Sequence, residues 1–548
     1  MEQKLKFWGW GYEGQGLDEQ YIRQVETLAK ALFGIAELPR LTPPTLASLE
    51  LRSPRCQVPE TLKSVCSTDK YDRALHSYGQ SFYDAVRKLN NDFSNPPDVV
   101  AYPKSEQDIV DLYAWAADEG VTIIPFGGGT SVVGGVEPPQ SDRPVVAMNL
   151  RRFDRVLEVD EQSLAARIQG GIYGPDLEAQ LKPMGYTLRF FPQSFEFSTL
   201  GGWIATRAGG HFVMGPTHID DLVESVRVVT PKGIIESRRL PGSGAGPSPD
   251  RMMIGSEGIL GVITEAWVRI RRRTTRKWSA SIHFSDYDAA LEAVKDIAQS
   301  GLMPSNCRLL DAREAMLNGI AAGDCSVLVL AFESCGECCE DRFRQALNIA
   351  ENAGGLPSID VSAGDAKQGN ESAESVGSKD EELATVGEDS SEQWKQSFLK
   401  MPYLREYLCA RGIINETFET AMTWERLPEF IRSVRRATIE AIKEVTGRTG
   451  FVSCRLTHVY ADGAAPYFTF LAYGDPERMI EQCEAIKTAA ANRLIELGGT
   501  ITHHHAVGRD HRPWYDQQRP DLFAQSLQAV KAQLDPDAIL NPGVLIDP

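Results

Sequence analysis

A chain of 548 residues is too long for one hydrophobic core and calls for two or three domains. With 42% hydrophobic and 24% charged residues its composition is that of a soluble protein, and no run reaches the roughly 18 apolar residues of a membrane span. The formal charge of −18 argues against nucleic acid as a partner, and ten cysteines are too sparse for a disulfide scaffold.

The first 95 residues are mixed, with an aromatic head (Phe7-Trp8-Gly9-Trp10-Gly11-Tyr12) and a proline-rich patch between Pro39 and Pro54. The start, Met1-Glu2-Gln3-Lys4, lacks the apolar core of a signal peptide. From Asp98 the pattern sharpens. Val99-Val100-Ala101-Tyr102 reads as a strand, and Ser105 with Asp108 makes a capping box. The helix it opens repeats Ile109, Leu112, Tyr113 and Ala116 at helical spacing and stops at Gly120.

Next, the β-branched run Val121-Thr122-Ile123-Ile124 feeds Pro125-Phe126-Gly127-Gly128-Gly129-Thr130-Ser131. Glycines let backbone approach a ligand closely, and successive N–H groups form a concavity for anions. The loop suits a pyrophosphate, although it is neither a Walker loop nor a Rossmann fingerprint; a plain turn is the alternative. Two more glycine-rich turns follow, at Gly201-Gly202 with Gly209-Gly210, and at Gly255-Ser256-Glu257-Gly258-Ile259-Leu260-Gly261-Val262-Ile263. Together they suggest one long dinucleotide held mostly by backbone. Strands are expected near 145–150 and 155–169, a helix near 174–183, and a hairpin over 222–237 turned by Pro231-Lys232-Gly233.

From Lys277 the order strand, helix, strand, strand, helix runs over 279–353. A similar set returns as a helix over 426–445, strands over 451–460 and 467–473, and a helix over 477–497. One antiparallel sheet with helices on one face accounts for both halves. Between them, 360–392 has almost no large apolar residue and reads as a flexible acidic insertion. Cys335-Gly336-Glu337-Cys338-Cys339 invites a zinc or redox reading, but no second pair stands at suitable spacing, so no metal site is expected. Histidine supplies only nine residues, three of them consecutive at 503–505. On a strand, His503 and His505 would share one face and His504 would take the other; read alone, the triplet is as well a set of exposed polar residues at a strand end, with metal ligation a third reading.

These motifs carry a resemblance. The glycine loop, then Gln193-Ser194-Phe195-Glu196-Phe197-Ser198-Thr199-Leu200-Gly201-Gly202, then Thr206-Arg207-Ala208-Gly209, then Glu257 to Ile263, resemble the FAD-binding fold of the vanillyl-alcohol-oxidase superfamily. Within it the chain resembles the alkyldihydroxyacetonephosphate synthase family, through Cys307-Arg308-Leu309-Leu310-Asp311, Phe418-Glu419-Thr420, Ser453-Cys454-Arg455 and His503-His504-His505-Ala506-Val507-Gly508. The resemblance implies an α+β fold. Its parts would be an N-terminal segment (1–95), an FAD-binding domain (96–272), a cap domain on an antiparallel sheet (273–500) and a C-terminal segment returning to the active site (501–548).

It also implies an activity. The acyl group of acyl-dihydroxyacetone phosphate would be exchanged for a long-chain fatty alcohol through a flavin adduct, in ether-lipid synthesis. Pro125 to Ser131, Gln193 to Thr199, Thr206 to Gly209 and Glu257 to Ile263 would hold the cofactor, noncovalently, since 121–136 contains no His or Cys. Tyr467 would be the acid/base tyrosine and the triplet the proton-handling histidines, with His505 favoured as base; Arg405 and Arg308 would bind substrate. Read alone, Tyr467 is as well a core residue and each arginine an ion-pair residue. The expected setting is cytoplasmic, with small lipid substrates and no nucleic acid; peripheral membrane contact and a homodimer are left open. The main alternative is an FAD-dependent 2-hydroxy-acid dehydrogenase, and a remote one a noncatalytic flavin-binding protein. Two departures stand out: Ala506 occupies the place where the synthase pattern has glycine, and the acidic insertion 360–392 is unusual for the family.

Overall fold

A computed structural model describes residues 4–336, 339–358 and 401–547. The acidic stretch 360–392 and part of the cysteine cluster, Glu337-Cys338, lie outside the described residues. Two main sheets build the first lobe, beside a two-stranded ribbon of Tyr186–Thr187 and Arg271–Arg272. In the smaller main sheet, Val99–Ala101, Val145–Asn149 and Thr122–Phe126 run parallel in that spatial order. The helix Glu106–Glu119 that connects two of them is capped reciprocally by Ser105 and Asp108 and ends on Gly120 at φ 64°. Ile109, Leu112, Tyr113 and Ala116 are all buried beneath it.

The larger sheet of this lobe is antiparallel and contains the hairpin Val223–Thr230 with Gly233–Glu236. The strand expected over 155–169 is instead two strands, Val156–Asp160 and Ala165–Gln169, because the chain reverses through Leu164 at φ 52°. The end of the chain returns here: Ile539 and Asn541 exchange backbone hydrogen bonds with Ile123, the strand that feeds the glycine loop.

The second lobe is one eight-stranded sheet whose strands pair antiparallel throughout. Its two halves join where Asn306–Leu310 meets Phe451–Val459. The strand Ile413–Glu419, which the sequence reading passes over, lies at one edge against Gly463–Tyr473. Side chains alternate across a strand, and the consequence is decisive here. Cys307, Leu309, Cys454, Leu456, Phe468 and Phe470 join one apolar core with residues of the helices Tyr287–Gln299, Glu340–Asn352, Leu427–Thr446 and Met479–Glu496. Their immediate neighbours Arg308, Arg455 and Tyr467 therefore project from the opposite face, away from those four helices. Among the described residues no helix is long and apolar enough to cross a membrane.

Candidate active site

A cavity of about 250 Å³ opens between that polar sheet face and the glycine loop. The first lobe contributes Gly127 to Ser131, Gln193, Ser194, Ser198, Thr199, Thr206, Ala208 and Gly209. The second lobe contributes Arg308, Arg405, Arg455, Tyr467, His504 and His505. Residues far apart in sequence thus meet at one wall of backbone and hydroxyls and one wall of cationic and titratable groups. That first wall suits a pyrophosphate and a flat ring system, which need close backbone approach. The expected cofactor fits it.

Not every motif residue faces the cavity. Phe126 and Phe197 lie behind it; Phe126 packs on His76, and Phe197 on Trp10 and Tyr12. Pro125 packs under Gly258. The loop glycines answer first to the protein. A Cβ at Gly128 would collide with the Phe197 carbonyl oxygen, one at Gly127 with the Thr199 hydroxyl, and one at Gly129 with the Phe126 ring. Ser131 fixes the loop from behind, its carbonyl accepting from Gln80 N (2.7 Å) and its Oγ from Gly135 N (3.0 Å). Arg207 turns away to Asp220 at 2.7 Å, and Glu196 accepts from the Tyr403 hydroxyl at 3.0 Å. The segment from Glu257 to Ile263 supports the lobe without lining the cavity.

On the cap side, Tyr467 is buried and its hydroxyl donates to Thr417 Oγ1 at 3.0 Å. Burial pushes its pKa up, and the Arg455 guanidinium, 3.8 Å from the ring centroid, works against that rise. Arg455 is fixed in turn by Glu314 at 2.5 Å. Arg308 donates to the His211 carbonyl at 2.9 Å, and burial lowers its pKa to about 9. Arg405 donates to the Gln80 carbonyl at 2.6 Å and pairs with Glu416 at 3.3 Å.

The histidine triplet departs from the strand expected for it. Residues 503–505 form a bend, and the backbone N–H groups of His503, His504 and His505 all point at the Glu419 carboxylate, at 2.5, 3.0 and 2.9 Å. The Thr502 hydroxyl donates to it as well, at 2.6 Å. A bend breaks the two-residue alternation, so His504 and His505 share the cavity while His503 turns behind it. There His503 Nε2 meets the Tyr460 hydroxyl at 2.8 Å and His218 Nε2 at 3.2 Å. Burial lowers the pKa of His503 to about 3 and those of His504 and His505 in the same direction.

His458, His503 and His504 each bring a nitrogen within 4.8 Å of the other two. Hydrogen bonds already join this group: His458 Nε2 to the Gly210 carbonyl at 3.1 Å, and His503 Nδ1 to His504 Nδ1 at 3.0 Å. We read it as a hydrogen-bonded network rather than as a set of ligands.

Sequence reasoning passed over Glu419, Arg455, His458 and Tyr460 as functional residues. A signal for Glu419 existed, since the two acidic residues of the largely apolar run Ile413–Glu419, Glu416 and Glu419, must each find compensation once buried.

Comparison with known proteins places the chain. The model for "FAD binding domain" matches residues 97–237, and that for "FAD linked oxidases, C-terminal domain" matches 274–545. The alkyldihydroxyacetonephosphate synthase of Trypanosoma brucei brucei is 30% identical over 487 residues, 87% of this chain and 78% of that one. Glycolate oxidase subunit GlcD of Bacillus subtilis (strain 168) is 25% identical over 488 residues, 89% of this chain and 96% of that one. A solved alkyldihydroxyacetonephosphate synthase structure superposes with a TM-score of 0.79 at 23% identity, covering 98% of this chain and 97% of that chain.

Proposed function

The chain belongs to the alkyldihydroxyacetonephosphate synthase family, and from that premise we propose that it exchanges the acyl group of acyl-dihydroxyacetone phosphate for a long-chain fatty alcohol, forming an ether lipid. It is an FAD-dependent enzyme that holds its cofactor noncovalently. No cysteine lines the cavity, and the histidines that do stand on the cap side. The chemistry FAD supplies when bound is a reversible electron sink, so that net turnover consumes no external oxidant.

The observation that carries this reading is the composition of the cap wall. Three guanidinium groups, Arg308, Arg405 and Arg455, share it with one tyrosine and three imidazoles, those of His458, His504 and His505. Guanidinium forks match phosphate oxygens, and we assign Arg308 and Arg405 to the substrate phosphate. His505 takes the C1 proton, and His503 and His504 fix its setting. Tyr467 holds a proton for the departing carboxylate oxygen, its hydroxyl oriented by Thr417. Those tasks need a base and a weak acid within reach of one carbon.

The fatty chain has a place as well. A second cavity of about 300 Å³, lined by Val25, Leu28, Leu32, Leu404, Leu408 and Leu471, shares Met401 and Asn415 with the first. A cytoplasmic protein touching the membrane edge, where such substrates reside, belongs to the same proposal and is tested by vesicle flotation; sedimentation tests a homodimer.

The direct test is to incubate purified holoenzyme with acyl-dihydroxyacetone phosphate and a fatty alcohol, without oxygen or dye, and to look for ether product. Stoichiometric dye reduction by lactate or glycolate, with no ether formed, would favour the dehydrogenase instead.

A further inference from the structure

Segment 502–508 crosses from one lobe to the other, and each lobe holds it with a carboxylate. From the first lobe, Glu257 accepts the N–H groups of Val507 (2.8 Å) and Gly508 (2.7 Å). From the cap, Glu419 accepts three consecutive N–H groups and the Thr502 hydroxyl. Glu419 is fully buried, and its strand register pairs it directly with Tyr467. Its carboxylate also lies 3.5 Å from His504 Nδ1 and 3.8 Å from His505 Nδ1.

We propose that Glu419 is the positioning residue of the triplet: it folds 502–505 around one carboxylate and keeps a fixed negative charge against His504 and His505. The proposal rests on the reading that this triplet handles the substrate proton. Successive backbone N–H groups make a nest for an anion, and hydrogen bonds to an ionised acceptor are about twice as strong as neutral ones. Burial alone would push the Glu419 pKa up; the imidazoles of His504, His505 and His503 and the Thr502 hydroxyl bring it well below the usual carboxylate range. Glu419 therefore stays ionised while the triplet works.

The charge matters because the surroundings otherwise oppose a protonated imidazole. His505 faces Glu419 and Glu416 as anions but also Lys487 and Arg405 as cations. His504 faces His503, His505 and His218, and packs on His458 and Tyr467. Glu419 is the carboxylate common to both, and it stabilises whichever imidazole receives the proton. A base beside it takes a proton more readily than the same base beside an amide.

Three variants and two readouts test this. In Glu419→Gln the charge is lost, and turnover should fall by about two decades. The acidic limb of kcat/KM should move down by about one pH unit or more, because an opposite charge is gone. Glu419→Asp keeps the charge on a shorter arm; its turnover should fall while the limb stays at the wild-type position. Val507 and Gly508 should keep their slow amide exchange in Glu419→Gln, while exchange at 503–505 rises about tenfold or more. Thr502→Val, which removes one donor and no charge, should lower turnover without moving the limb.

A Glu419→Gln enzyme with the wild-type limb, or with unchanged exchange at 503–505, overturns the assignment. Should Glu419→Gln fail to retain flavin, Glu419→Asp and Thr502→Val decide: lowered turnover with the limb in place supports it, wild-type turnover in both overturns it. Failure of the function reading looks different, since the wild-type protein itself would then form no ether, while the exchange measurement still reports on the clamp.

Discussion

The two carboxylates that grip segment 502–508 do the same geometric job with opposite electrostatics. Glu419 meets three N–H groups, a hydroxyl and two nearby imidazoles, and is held ionised. Glu257 meets two N–H groups with Arg509 farther off, and burial dominates, pushing its pKa up to about 7. Both are enclosed; the number and sign of the groups around each carboxylate decide its charge. The cap end of the segment is thus built for proton chemistry. The first-lobe end is built to close the fold, and there the Asn541 amide donates to the Glu257 carbonyl at 2.8 Å.

If that division is right, substitutions at the cap end should cost turnover and those at the other end should cost stability. Tyr467→Phe gives the largest effect. It removes one hydroxyl from a packed ring, so turnover should fall by roughly two to four decades with flavin content and melting temperature kept. Loss of flavin in this variant would break the comparison by giving the cap wall a structural role.

Arg405→Ala comes next. A charged hydrogen bond of this kind contributes roughly 1.5–3 kcal/mol, or one to two decades. The loss should appear mainly as a raised KM, measured with acyl-dihydroxyacetone phosphate as the varied substrate. Unchanged KM and kcat would remove the phosphate assignment.

Glu257→Gln tests the other end. With the folded pKa at about 7, above the ordinary 4.5, the native protein binds the extra proton between those values. The Glu257 contribution to stability therefore declines as pH rises from about 4.5 to about 7 and is level above that. The stability difference between wild type and Glu257→Gln should narrow across this window in denaturant titrations. At pH 8 the variant should still be less stable than wild type by about 1–2 kcal/mol, with turnover per bound flavin kept. A fall in turnover per flavin would mean that both ends act on the chemistry.

The smallest effect sharpens the same segment. Ala506, between the two clamps, has φ 73°, where an L side chain is strained. Ala506→Gly should raise stability by about 1 kcal/mol or less, read from the melting temperature, and leave turnover within about twofold. A destabilised Ala506→Gly would show that its methyl group packs usefully.

Much of the frame was legible because it is local. The Ser105 and Asp108 capping box, the stop at Gly120 and the hairpin over 222–237 need only neighbours a few residues away. The alternation that puts Phe468 into the core and Tyr467 into the cavity is a property of any half-covered strand. The missed edge strand Ile413–Glu419 shows the limit, since its apolar and acidic residues alternate with no clean period. So does Leu164, whose positive φ turns one expected strand into two.

Residue order alone therefore specifies the set of parts: a glycine loop, a half-covered sheet, a tyrosine and a run of histidines. How those parts face one another is set by contacts between distant segments. Periodicity set His503 beside His505, but the Glu419 carboxylate, 84 residues away from His503 along the chain, bends the triplet so that His504 and His505 share the cavity. The loop glycines suit a ligand by composition, yet Phe197 and Thr199 are what leave no room for a side chain at Gly128 and Gly127. The physical reason is the same in each case. A backbone N–H or a missing Cβ is satisfied by whatever group the fold brings to it, and the local sequence carries no record of which group that will be.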